Sequence, residues 1–423
     1  MFTLGLLRHL ALNGVSVASA KAGPDYIDPA FHAAATGRAC LNLDPWAMRP
    51  KTLAGAVGAL SKGAEIIICE GVMGLFDGAD LDKGSTADLS VTTGWPVILI
   101  VDARAQGASA AAVVKGFAGF RPDLNIAGVV FNRTGAGRHI RILQDSCTRH
   151  VPEIPVLGFL PRHQSLALPD RHLGLVQAAE HDDLEAFLDA AADLVGKAVN
   201  VKALQGLAQP WPKASAEKVA VPLPPLGQRI AVAADHAFRF SYPLVLDGWR
   251  AQGSEVVLFS PLANESPPAD ADAVYLPGGY PELHAGRLAA SNAFLDGLCN
   301  AANRGAAVYG ECGGYMVLGH GIEDAEGRRH AMAGLLPLET SFARRQLHLG
   351  YRRATLSAEG PLGRAGARFR GHEFHYATLA KEGPAQPLFT SVDVEGIDHG
   401  PAGLVDGRVA GSFIHLIDGE DDA

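Results

Sequence analysis

A chain of 423 residues, 48% hydrophobic and 19% charged, is long enough for two or more cores and has an ordinary globular balance. A formal net charge of -9, from 36 basic and 45 acidic residues, argues against a general nucleic-acid binder. Five scattered cysteines (Cys40, Cys69, Cys147, Cys299 and Cys312), never paired as CxxC, argue against a disulfide framework or a cysteine-based zinc site and fit a reducing cytoplasm.

The chain opens on MFTLGLLRHLALNG, which predicts a helix with Phe2, Leu6, Leu7 and Leu10 on one face and Gly14 at its C-terminal cap. It lacks a signal peptide's charged start and small-residue cleavage site, so a cytoplasmic protein is expected. No apolar run is long enough to cross a bilayer, and no membrane partner is expected. Five apolar runs follow, at 15–20, 65–71, 96–103, 126–133 and 155–162, separated by stretches long enough for crossover helices. They are apolar on both faces, like strands inside a parallel sheet, and predict a doubly wound α/β domain with its chemistry at the C-terminal strand ends.

Two such ends stand out. KAGPDYIDPAFH (21–32) is dense with potential ligands, and EGVMGLFDGAD (70–80) places Glu70 directly after the strand EIIIC. A carboxylate there is where a nucleotide-binding α/β domain holds magnesium, and the glycines let backbone approach phosphate. A lone strand-end glutamate is as readily a solvated side chain. Both segments together, with Asn132-Arg133 closing IAGVVF, favour a nucleotide site.

From 200 to 228 the pattern breaks into the proline-rich QPWPKASAEKVAVPLPPLGQR, read as a linker between a domain at 1–199 and one at 229–423. A second α/β series then runs through RIAVAAD, SEVVLFSP, ADAVYLPGG and AAVYGECGG. In the last of these a strand enters Gly310-Glu311-Cys312-Gly313-Gly314 and continues into an apolar helical stretch. That is the strand–turn–helix of a nucleophile elbow, with glycines permitting the turn and a helix N-terminus favouring the thiolate. A buried structural cysteine is the plainer reading of a lone cysteine; the elbow outweighs it. Gly278, Gly279 and Gly313 can offer backbone N–H groups to an oxyanion. The base should be a histidine: His415, after an apolar strand, or its rivals His372 and His375 in GHEFHY. The H-E-F-H spacing does not match the zinc motif H-E-x-x-H.

The strings YLPGGYPELHA, GECGGYMVLG, LGYR, GHEFHY and GSFIHL closely resemble the cobyrinic/hydrogenobyrinic acid a,c-diamide synthase family, and the resemblance covers almost the whole chain. It implies a P-loop-NTPase-like synthetase domain similar to dethiobiotin synthetase, followed by a class I glutaminase domain. By the resemblance, Cys312 attacks the glutamine amide, His415 raises its nucleophilicity, and a thioester releases ammonia. Lys21, Asp25, Asp28, Glu70 and Asp77 would surround the triphosphate of ATP, Mg2+ and the substrate carboxylate, with Glu70 and Asp25 on the metal. Tyr26 and Ile27 would place the corrinoid, and Asn132 would contact adenine. Packing is the plain alternative for Tyr26 and Ile27, and a solvated loop carboxylate for Asp28 and Asp77. The resemblance implies ligation of ammonia to the a and c acetates of a corrin acid. SFARRQLHLGYR tilts the substrate toward hydrogenobyrinic acid over cobyrinic acid. The partners are then ATP, glutamine and a corrinoid acid, with a homodimer left open. A glutaminase-like protein with an inactive ATP site, or a cobyric acid synthase, are the alternatives.

Two departures matter. The wider class places a glutamate two residues after the histidine, where this chain has Ile417. Either a dyad suffices or another acid orients His415. The family also opens with a strand and a G-x-x-x-x-G-K-[ST] phosphate loop, which this sequence lacks. The favoured reading is that the start lies further upstream, with the missing strand belonging inside the sheet.

Overall fold

The computed structural model describes residues 1–163, 170–171, 174–175, 177–211 and 221–420. The chain forms two compact units. One comprises Met1–Pro45, Val57–Gly78 and Asp82–Glu217, the other Trp46–Ala56, Ala79–Leu81 and Lys218–Ala423.

In the first unit the opening helix spans Phe2–Leu12 and buries Leu4, Leu6, Leu7 and Leu10; Gly14 beyond it takes φ +77°, a conformation that suits glycine. The five apolar runs are strands, but they lie in two parallel three-stranded sheets where one was expected. Val17–Ala22 sits between Leu41–Leu43 and Ile66–Glu70, and Ile126–Thr134 sits between Val97–Asp102 and Val156–Pro161. The difference lies in two edges. Ile66–Glu70 and Val97–Asp102 each pair on one side only among the described residues. Ile66, Ile68 and Ile98, from both edges, pack against one core with the opening helix. The edge position shows in the side chains. Every residue of Val17–Ala22 is buried, whereas Ile66–Glu70 is only half-buried and Ile100 is 38% exposed.

The second unit carries a ten-stranded mixed sheet. Glu255–Phe259, Arg229–Ala233, Ala273–Leu276, Ala307–Glu311 and Val409–Ser412 are parallel neighbours, in that order. Asp398–Asp406, Gln386–Val392, His348–Leu356, Arg368–His375 and Ile414–Gly419 continue it antiparallel. Only Phe413 separates Val409–Ser412 from Ile414–Gly419, although the latter lies at the end of the strand order. The sheet therefore curls back on itself, and residues distant in strand order meet. The segment Trp46–Ala56 joins this unit through Arg49, whose backbone N–H donates to the buried Asp418 at 2.7 Å, and through Trp46, which lies under the Arg370 guanidinium. The start of the 200–228 segment is helical over Val201–Gly206; residues 212–220 lie outside the described residues.

Candidate active site

Two clusters of polar groups stand at C-terminal strand ends. In the second unit the strand Ala307–Glu311 delivers Cys312 with φ +47° and ψ -104°, after which Gly313–Leu318 is helical. A positive φ at a non-glycine residue is strained backbone of the kind that exposes a nucleophile at an elbow. The strain is held by close packing. A Cβ at Gly314 would collide with the Leu276 carbonyl oxygen, and one at Gly313 would stand 2.7 Å from Pro281 Cδ and 3.1 Å from Gly279 N. The Gly278 carbonyl accepts from Phe240 N–H at 2.9 Å. A trans peptide points its C=O and N–H oppositely, so this bond turns the Gly279 N–H away from Phe240. The Gly313 N–H faces the Cys312 thiol.

His415 is buried and its ring is pressed against Gly278, where a Cβ would collide with Cε1. Cys312, Gly278, Gly279, Gly313 and His415 are thus brought together. His372, a rival for the base, pairs with His415 in strand register and stacks on it, with ring centroids 4.9 Å apart and planes 10° apart. His375 stacks instead on Phe413 and His348. Both rivals are neighbours of the site.

Burial decides the charge state here. It pushes the Cys312 thiol up, Glu282 adds to that, and the opposing Gly313 N–H does not compensate. The thiolate that the helix terminus was expected to favour is therefore disfavoured, because desolvation outweighs one turn of dipole. Burial likewise holds His415 well below its ordinary value, with His372 and His375 adding to it, and lowers His372 to about 3. Both shifts favour the neutral thiol and the neutral imidazole.

Two acids escaped the sequence reading. Glu311 is fully buried beside the nucleophile and accepts from Tyr275 O–H at 2.8 Å, Tyr309 O–H at 3.1 Å and Leu416 N–H at 3.2 Å. Glu282, in the YPE string, has a buried Oε2 with no hydrogen bond among the described residues; burial raises its carboxyl to about 8 against the pull of Arg345. Both lie inside quoted motifs, so their positions were visible and their partners were not.

In the first unit, Lys21 ends the strand Val17–Ala22 and is buried among carboxylates. It is hydrogen-bonded to Asp28, 3.5 Å from Asp25 and 3.8 Å from Glu70. Burial opposes its charge, but the three acids outweigh it and raise the amine. Asp25 Oδ1 accepts from Ile27 N–H at 2.8 Å and Asp28 N–H at 3.1 Å, the first two N–H groups of the helix Ile27–Thr36. Asn42 donates to the carbonyls of Gly23 and Asp25 and fixes that loop. His32, buried on the same helix, lies 2.7 Å from Glu70 through Nε2. Glu70 is lowered to about 2: burial works against it, and the His32 hydrogen bond and Lys21 prevail. The sequence reading included His32 in a ligand-rich string and gave it no role; thirty-eight residues separate it from Glu70.

The other predicted residues are dispersed. Asp77 is exposed and accepts from Gly74 N–H at 2.8 Å. Ile27 packs partly against the core of its unit, and Tyr26 precedes the helix that Ile27 opens. Asn132 lines a cleft of about 390 Å³ with Phe2, Arg104, Arg133, Leu160 and Pro161. Its Oδ1 accepts from Arg133 N–H at 2.8 Å, which steadies Arg133 at φ +56°.

A profile of the CobQ/CobB/MinD/ParA nucleotide-binding domain matches residues 1–176, and one of the CobB/CobQ-like glutamine amidotransferase domain matches 229–423. Relatives named hydrogenobyrinate a,c-diamide synthase are 53% identical in Brucella anthropi and 52% in Sinorhizobium sp, over 98% of this chain and 94–95% of theirs. A further one, from Mesorhizobium japonicum, is 49% identical over 98% of this chain and 94% of its own. The chain belongs to the hydrogenobyrinate a,c-diamide synthase family. It is a glutamine-amidotransferase ligase type joined to a nucleotide-binding domain, and no described helix is long and apolar enough to cross a membrane. The polar cluster around Lys21 falls in the nucleotide-binding match, and the Cys312 elbow falls in the amidotransferase match.

Proposed function

We propose that the protein amidates the a and c acetate carboxylates of hydrogenobyrinic acid, using ATP and glutamine, in cobalamin biosynthesis. The observation that carries this reading is identity of about half over nearly the full length to relatives of that name. The two clusters supply its chemistry.

Glutamine enters beside Cys312. The thiol proton passes to His415 as sulfur attacks the amide carbon, and the oxyanion meets the N–H groups of Gly279 and Gly313. The imidazolium returns the proton to the leaving nitrogen, ammonia departs, and water hydrolyses the thioester to glutamate. A neutral resting pair suits this sequence, since His415 must be free to accept a proton and burial keeps it so.

In the first unit, a corrin carboxylate takes the γ-phosphoryl group of ATP to give an acyl phosphate and ADP. Ammonia then displaces phosphate and leaves the amide. Lys21 balances charge among Asp25, Asp28 and Glu70, and the cleft at Asn132 accepts the adenine. Three carboxylates around one amine, with Asp25 pushed up by burial and by Asp28, form a hard-oxygen donor set with surplus negative charge. No group of three or more His, Cys, Asp or Glu side chains is arranged to hold an ion among the described residues, so Mg2+ would be held by Glu70 and Asp25 only together with the phosphates of ATP. When bound, the ion neutralises phosphate charge. Tyr26 and Ile27, where the chain turns into the helix, would border the corrin.

The test is product analysis by chromatography and mass spectrometry with purified protein, ATP, Mg2+ and glutamine. Hydrogenobyrinic acid should yield the a,c-diamide. Amidation of cobyrinic acid alone would move the substrate to the cobalt-containing acid, and amidation at other side chains would make the protein a cobyric acid synthase type.

A further inference from the structure

We infer that Glu311 is the acid that positions and charge-balances His415, in place of the glutamate that the wider class carries where this chain has Ile417. The inference rests on the reading of Cys312 and His415 as the glutaminase pair.

Ile417 is buried and apolar, so His415 receives nothing ionic from its own strand at that position. The curled sheet brings an acid from another strand. Glu311 Oε2 lies 4.0 Å from His415 Nδ1, longer than a hydrogen bond, so the carboxylate acts on the ring through its charge; both side chains are almost wholly buried. The carboxylate is fixed by the Tyr275 and Tyr309 hydroxyls, and Oε1 grips the backbone N–H of Leu416, the residue after the histidine. The imidazole is fixed in its own plane by His372 stacked on one face and by Gly278 against Cε1. A carboxylate facing Nδ1 selects the tautomer with hydrogen on Nδ1 and leaves the Nε2 lone pair for the thiol.

The step balances without any further reactant. The S–H bond of Cys312 breaks and its proton goes to Nε2, while the sulfur electron pair forms the bond to the amide carbon. The imidazolium so created faces Glu311 as its counter-charge until Nε2 gives the proton to the departing ammonia. Glu311 touches neither glutamine nor the sulfur's new bond. It acts through His415 and is a positioning residue.

The test uses the full chain with Glu311→Gln and Glu311→Asp. Gln keeps the size of Glu311, and its Oε1 can accept from Tyr309 O–H and Leu416 N–H while its NH2 donates to the Tyr275 oxygen, whereas Asp keeps the charge and loses the fit. The expected result for Glu311→Gln is a fall of roughly 10²–10³-fold in kcat for glutamine hydrolysis, with KM for glutamine and ammonium-dependent amidation unchanged. The pH profile of Cys312 alkylation by iodoacetamide should shift upward. Glu311→Asp should retain a wild-type-shaped alkylation profile at reduced kcat. A purely space-filling role would reverse that order, with Gln active and Asp impaired, and that result overturns the inference. So does an unshifted alkylation profile in Glu311→Gln. If Glu311→Gln does not fold, a shifted profile in Glu311→Asp also overturns it. Cys312→Ala separates this outcome from a failure of the site reading: persistent glutaminase activity there would remove the Cys312 assignment itself.

Discussion

The two clusters treat charge in opposite ways. Around Cys312, burial outweighs the local partners at four groups: it moves the thiol up, His415 down, Glu311 up to about 7, where it is still part-ionised near neutrality, and Glu282 up to about 8. Around Lys21, burial is equally present but loses at the amine and at Glu70, and prevails only at Asp25, where Asp28 adds to it. The amine is raised and Glu70 falls to about 2, because ion pairs and the His32 hydrogen bond exceed the desolvation cost. Each condition suits the chemistry proposed for it. Attack on an amide starts from neutral partners and creates charge only in passing, so a dry, neutral pocket avoids stabilising the resting ion pair. Phosphoryl transfer starts with a highly charged substrate, so its site must already be ionised to receive one.

The sharpest way to break this comparison is at the nucleophile. Cys312→Ala should lower glutamine-dependent amidation by ~10³-fold or more, while amidation with ammonium salt stays at the wild-type rate. Parallel loss with both nitrogen sources would mean that Cys312 is structural. Glu70→Gln attacks the other site. It should reduce amidation with either nitrogen source by roughly 10²-fold, because a preorganised charge is removed where phosphate charge develops. Near-normal ammonium-dependent activity would reduce Glu70 to a structural group and leave the Lys21 cluster without its proposed role.

What was legible in the sequence is what is local. The strands at 15–20 or 126–133 and the elbow GECGG depend on residues within one turn or one strand, and those segments take the conformations their composition predicts. The partner of His415 was not legible. Glu311 is adjacent to Cys312 in sequence, but its contact with His415 exists only because the sheet curls until Ala307–Glu311 meets Ile414–Gly419. Neither strand's pattern encodes that curl. His32 and Glu70 likewise meet through the packing of a helix on the strands of its sheet. The thiol's charge state failed for a different reason. The helix terminus could be read from sequence, but the depth of burial that outweighs it could not.

The His32–Glu70 contact sharpens the comparison at smaller amplitude. His32→Gln removes the ring that holds Glu70 Oε2 while leaving Lys21, Asp25 and Asp28 in place. Amidation should fall ~10-fold with both nitrogen sources, the scale expected when a ligand-orienting partner is lost. Glutamine hydrolysis assayed alone should be untouched. A variant with full amidation activity would show that the Lys21 contacts suffice to place Glu70.

The smallest effect concerns stability against pH. A carboxyl held near 7 in the fold and near 4.5 when unfolded binds more protons folded than unfolded in that window. Glu311 therefore makes the fold less stable as pH rises from about 4.5 to about 7, by an amount on the order of 3 kcal/mol, and contributes no further slope above that. Glu282, held near 8, acts with the same sign over a slightly wider window. The buried histidines act oppositely. His415 and His372 stay neutral in the fold, so the unfolded chain gains protons below about 6.5 and stability rises with pH in that range. The wild-type curve mixes these opposed slopes. The difference between wild type and Glu311→Gln isolates the carboxyl, because the histidines are common to both. Thermal unfolding of the two proteins from about pH 5 to about pH 8 should give Tm curves that separate progressively up to neutrality, with the variant gaining relative to wild type. A constant offset across the range would mean that Glu311 titrates alike in folded and unfolded chains, and the neutral, dry pocket contrasted with the Lys21 cluster would lose one of its four groups.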